Sequence, residues 1–128
     1  MADYIDGFSF PISSNNVDDY KLLSESIARI WIEYGALEYR EYVGDDMEIE
    51  GTRTFAETLQ KSKDEVVVFG WVKFESKASR DLIHRKVGSD PRIVALMAKY
   101  DTGFDASRMV CAGFQSLVSI IGDNSTHA

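Results

Sequence analysis

Two carboxylates and a guanidinium, Asp6, Glu38 and Arg40, are the side chains in this 128-residue sequence whose types and spacing best suit chemistry. Asp6 lies in an aromatic and aliphatic run near the start, and Glu38, Arg40 and Tyr42 alternate with Leu37, Tyr39 and Val43 along a second run. Brought together beside Tyr42, Phe69 and Trp71, they would line a pocket in which Arg40 holds an anionic or carbonyl oxygen, a carboxylate acts as base and the rings shape the ligand. The same three groups also make a self-contained structural network, because a buried guanidinium between two carboxylates is already satisfied. Both readings stand on the sequence alone.

Other candidate chemistry is thinner. Cys111 is the only cysteine, so an internal disulfide is excluded, and within its apolar run it reads as a small core residue. His84 is expected on the outer side of a helix and His127 in a frayed tail, neither with a partner for catalysis or metal binding. Asp45 and Asp46 follow Gly44 as turn residues and no His or Cys joins them, so no bound metal is expected. Gly7, Gly44 and Gly113 fit no phosphate-binding pattern, so no nucleotide cofactor is expected.

The elements that must position these residues follow from periodicity. Residues 4–12 read as a strand ending near Pro11, and Ser13 to Asn16 supply turn chemistry, with Asn15 as the expected helix cap and Asp18 three residues on. Val17, Tyr20, Leu23, Ile27, Ile30, Trp31 and Tyr34 then recur every three or four residues, one apolar helix face closed by Gly35. Residues 36–43 alternate as a strand. Residues 47–63 form a polar excursion with one short helical turn near Phe55, and 66–74 make a β-branched and aromatic strand buried on both faces. Ser76 caps a second helix through Val87, with Ala78, Leu82, Ile83 and Lys86 inward. Asp90–Pro91 breaks it, a shorter helix runs to Lys99, and a last strand spans 109–120. The order is β-α-β-β-α-β, an α+β fold of the ferredoxin-like type, with an antiparallel sheet in the order 4-1-3-2 and both helices on one face. One domain is expected over residues 1–122, with a tail at 123–128.

Composition bounds the partners. Hydrophobic residues at 45% and charged residues at 27% describe an ordinary globular chain, and a net charge of −7 repels polyanions. No apolar run reaches the roughly 18 residues of a membrane span, and no leader pattern opens the chain, so the cytoplasm is the expected compartment.

Helices on one face leave the other side of the sheet bare. If Tyr4, Phe8, Phe69 and Trp71 point there, they form an apolar patch that a soluble monomer seldom exposes. RNA is one cover, since Phe69 to Phe74 and Tyr4 to Phe8 look like the signatures of an RNA-recognition motif. The basic residue that opens the longer signature is missing, and the acidic charge removes the electrostatic share of such binding. The favoured cover is a second copy, giving a two-fold homodimer whose sheets enclose a common interior.

Tyr4–Ile5–Asp6–Gly7–Phe8, Trp31 with Gly35–Ala36–Leu37–Glu38–Tyr39–Arg40–Glu41, Gly44–Asp45–Asp46, Asp64 to Phe69, Asp90–Pro91–Arg92, Phe104–Asp105, Arg108–Met109 and Gly113–Phe114 together resemble the YbaA-like bacterial proteins. That family has no known function and falls in the dimeric α+β barrel superfamily. Gly70 stands where the family pattern has serine, and Tyr42 where cysteine is frequent. The resemblance implies a face-to-face dimer and no reaction. Two function classes follow: a small-molecule enzyme or binding protein that uses the barrel interior, and a homodimer whose task is association alone.

Overall fold

The computed structural model describes residues 3–123. In chain order the elements are β1 (Tyr4–Ser13), α1 (Val17–Glu33), β2 (Glu38–Val43), α2 (Phe55–Leu59), β3 (Glu65–Phe74), α3 (Lys77–Gly88), α4 (Pro91–Lys99) and β4 (Val110–Gln115). The four strands form one antiparallel sheet ordered β2-β3-β1-β4, which counted from the other edge is the series 4-1-3-2.

Local chemistry explains most boundaries. Ser76 accepts a hydrogen bond from the Ser79 amide and starts α3, and Asp90 does the same for the Arg92 amide ahead of Pro91, which opens α4. Gly35, at φ +114°, turns the chain out of α1 in a backbone region that suits glycine. Two expectations are corrected. Asn15 does not cap α1: residues Ser14–Asn16 form a 3₁₀ turn whose Asn15 amide is held by Ser13, and the helix begins at Val17. The last strand spans six residues, because only Val110–Gln115 lie beside β1.

The core fills the space between the sheet and its helices. Phe10, Ile12, Val68, Val72 and Phe74 point from the sheet toward Leu23 and Ile30 of α1 and Ile83 and Val87 of α3, and all are buried. Registration of β1 on β3 pairs Phe8 with Gly70, Phe10 with Val68 and Asp6 with Val72, so the even-numbered residues of both strands face the helices. A Cβ at Gly70 would lie 2.8 Å from the Phe8 ring and collide with the Arg40 carbonyl oxygen, so this position must stay bare for the sheet to pack as it does.

Candidate functional site

The register divides the expected site residues between two faces. Glu38, Arg40 and Tyr42 stand opposite Lys73, Trp71 and Phe69, and these six share the bare face with Ile5, Gly7 and Ser9 of β1 and Val110, Ala112 and Phe114 of β4. Tyr4, Asp6 and Phe8 do not join them. They face the helices, so the expected patch of Tyr4, Phe8, Phe69 and Trp71 and the expected cluster of Asp6, Glu38 and Arg40 are each split by the sheet.

On the bare face, Glu38 Oε1 accepts from Arg40 Nε at 2.9 Å and from Trp71 Nε1 at 3.3 Å, and Lys73 Nζ stands 3.9 Å from Glu38 Oε2 and 3.4 Å from Asp3. Partial burial pushes the Glu38 carboxyl up, but the hydrogen bonds from Arg40 and Trp71 with the Lys73 charge outweigh it and hold the group below its usual range. Arg40 is therefore a half-exposed member of a satisfied edge network instead of a guanidinium buried between two carboxylates. Both cations on this face stand beside carboxylates, so the face offers no free pair of charges to a phosphate backbone. Tyr42 stacks on Trp71 at 5.5 Å, Trp71 meets Phe69 at 6.3 Å, and Phe55 of α2 lies edge-on against Phe69 at 6.0 Å. Between them lies a hollow of about 480 Å³ floored by Gly7 and Ser9 and walled by Phe69, Trp71, Ala112 and Phe114.

The helix side holds a different cluster. Asp6 is 5% exposed, and its Oδ1 accepts from Arg80 Nε at 3.0 Å and lies 2.9 Å from Nη2 in an ion pair. Its Oδ2 lies 2.5 Å from His84 Nε2. Arg80 reaches Asp81 at 3.0 Å and lies over the Tyr4 ring. The His84 ring meets Trp31 edge-on at 5.2 Å and tilts against Phe74 at 6.0 Å. His84 thus has a partner, contrary to the expectation of a solvated helix face, while His127 falls outside the described residues. Arg80 and His84 are four residues apart on α3, one helix stripe beside the buried Ile83 and Val87; that spacing was the available signal in the sequence.

Asp6 and His84 line a cavity of about 220 Å³ whose walls are mainly Phe8, Leu23, Trp31, Met97, Phe104 and Met109. Cys111 also lines it, from an exposed position on the edge strand instead of the core position expected. Partial burial raises the Cys111 thiol, the Asp6 charge raises it further, and Arg80 opposes both. Farther along the same face, Glu41 accepts from the hydroxyls of Tyr20 and Ser24. Burial, followed by the Glu41 charge, drives the Tyr20 phenol far above its ordinary value and keeps it a donor.

Among the described residues no group of three or more His, Cys, Asp or Glu side chains could hold a metal ion, and no helix is long and apolar enough to cross a membrane.

A family model described as a protein of unknown function (DUF1428) matches residues 3–106. The uncharacterized protein YbaA of Escherichia coli (strain K12) is 30% identical over 115 residues, which cover 90% of this chain and 97% of that one. The uncharacterized protein YbaA of Shigella flexneri matches with the same figures. Among solved structures, a dimeric ferredoxin-like protein from an uncultured marine organism aligns with a TM-score of 0.54 at 12% identity, covering 94% of this chain and 100% of that one. At that identity the likeness concerns the fold, which is ferredoxin-like in both.

Proposed function

The chain belongs to the DUF1428 family of unknown function, and from that premise we propose that it is a cytoplasmic homodimer that binds a small organic molecule. The two tasks use opposite sides of the sheet. The observation that carries the reading is the bare face: Phe69 is 44% exposed, Tyr42 51%, and Val110 and Phe114 54% each, a contiguous apolar area of the kind a second protein surface normally covers. A second copy suits this face because its charges are balanced. Glu38 and Asp3 offset Arg40 and Lys73, so two such faces meet without the repulsion that a chain of net charge −7 would otherwise impose. The fold neighbour described as dimeric supports a two-copy assembly. Phe69 and Trp71 lie at the centre of the interface, with Tyr42 stacked beside them and the Glu38–Arg40 pair at its rim, a pattern of buried aromatic anchors and polar edge.

With that face given to the partner, the ligand belongs on the helix side, where the cavity of about 220 Å³ has mainly apolar walls, the hydroxyls of Tyr20, Ser24 and Tyr39, and Asp6 beside His84. This moves the ligand away from the barrel interior that the sequence pointed to. Light scattering on the purified chain is expected to give the mass of two copies, and Phe69→Glu the mass of one with the helical signal intact. A wild-type monomer would overturn the assembly. Native mass spectrometry of protein from its host reads the other half: a retained small molecule supports the binding role, and dimers that never carry one favour association alone.

A further inference from the structure

We propose that Asp6 and His84 form a proton-transfer pair at the mouth of the helix-side cavity, acting on small, largely apolar molecules that carry one acidic O–H or C–H group; this rests on the reading of that cavity as the ligand site. Three features carry the inference. Asp6 is almost fully buried, and Arg80 pairs with its Oδ1, through an Nε–H bond and the nearby Nη2. His84 is the partner of the other oxygen, Oδ2, so the buried carboxylate fixes where the imidazole stands. That partner is an imidazole, a group that can both take up and give back a proton, and it both lines the cavity and keeps 41% of its side chain exposed. Finally, a carboxylate can only accept, so His84 Nε2 donates to Asp6, and in the neutral imidazole the lone pair then falls on Nδ1, which has no hydrogen-bond partner among the described residues.

The step balances within the pair and its ligand. The ligand's O–H or C–H bond breaks, its electron pair stays on oxygen or passes into an adjacent carbonyl, and a new N–H bond forms at Nδ1 of His84. Asp6 holds the resulting imidazolium through the Nε2–H bond at 2.5 Å and balances its charge. Returning the proton to the same ligand atom, or to another, restores the pair with no oxidant or co-reactant. The groups facing His84 suit this role. Asp6 comes from β1, Arg80 and Asp81 from its own helix, while α1 and β3 present the uncharged rings of Trp31 and Phe74. Cys111 of β4 senses the Asp6 charge from across the cavity. The ligand must be mainly apolar, because Phe8, Leu23, Met97 and Phe104 leave no other charged group in the walls.

A test uses 4-nitrophenol, whose ionised form absorbs at longer wavelength than its neutral form, with the Trp71→Phe protein, in which Trp31 is the remaining tryptophan. Binding is expected to quench Trp31, and the bound probe is expected to ionise about one pH unit or more below the free probe. In the same background His84→Gln is expected to keep the quenching, with affinity within about threefold, and to lose the ionisation shift, since glutamine can bond Asp6 but takes no proton. If His84→Gln does not fold, the imidazole nitrogen shifts of unsubstituted His84 give the same answer: ring protonation must accompany ionisation of the bound probe. Quenching with an unshifted probe, or a shift equal in His84→Gln, overturns the proton-transfer pair and leaves the cavity reading intact. No quenching at all overturns both.

Discussion

Glu65 and Arg108 tie the start of β3 to the turn before β4. Arg108 reaches both Glu65 oxygens, at 2.5 and 2.9 Å, and the Ser62 amide adds a third bond at 3.0 Å. These bonds, Arg108 first, pull the Glu65 carboxyl from its ordinary 4.5 down to about 2. A group lowered in the folded state stabilises fully where the unfolded chain is ionised too, above 4.5, and loses that contribution as pH falls toward 2. Arg108→Gln is therefore expected to lower stability modestly near neutral pH, because solvent screens this partly exposed pair, with the difference from wild type shrinking steadily below pH 4.5. Urea unfolding at fixed protein concentration across that range measures it; a difference independent of pH would assign the loss to packing. The same scale explains what was legible in the candidate site. Alternation put Glu38, Arg40, Tyr42, Phe69 and Trp71 on one face correctly relative to each other, because two-residue periodicity fixes sides within a pair of strands. It could not say which side of β1 joined them, and Asp6 went with the wrong set. Phe8, Phe10 and Ile12 against Gly7, Ser9 and Pro11 carried the answer, since the larger apolar residues of a one-sided sheet face its helices.

At the scale of elements, α3 matters most, because it holds both Arg80 and His84. Its first turn depends on the Ser76 hydroxyl, which accepts from the Ser79 amide at 3.1 Å. Ser76→Ala is expected to cost about 1 kcal/mol, read as a lower melting temperature. If α3 positions the Asp6 partners as a unit, faster amide exchange should extend through residues 80–84; exchange confined to the first turn would show that Asp6 holds His84 independently of the cap. The helices were readable because caps and the 3.6-residue period are local: Pro91–Lys99 and Phe55–Leu59 stand where their sequences indicated. The end of β4 was not, because Leu117, Val118, Ile120 and Ile121 have every local mark of a strand, whereas pairing depends on whether a neighbouring strand reaches that far.

For the whole molecule, those four residues are the largest unexplained expense of apolar surface: Leu117 is 95% exposed and Ile120 89%. They follow, outside the sheet, the strand that contributes Val110, Ala112 and Phe114 to the bare face. Removing residues 117–128 is accordingly expected to weaken the dimer at least tenfold, measured by sedimentation over a dilution series; an unchanged dissociation constant would separate this segment from the interface. The surplus of aromatic side chains in the sequence pointed to a covered sheet face, but it left unread which residues of β1 lie on that face, since that depended on a single register. Gly70 lies at that division. The ring it admits, Phe8, walls the helix-side cavity, and the Arg40 carbonyl it spares belongs to the strand carrying the rim of the opposite face. A side chain introduced there presses on both at once, so the position is pleiotropic: under the proposed division of faces, a lineage with serine at residue 70 would alter the ligand space and the self-association surface as one trait, with Phe8 and β2 the places to accommodate it.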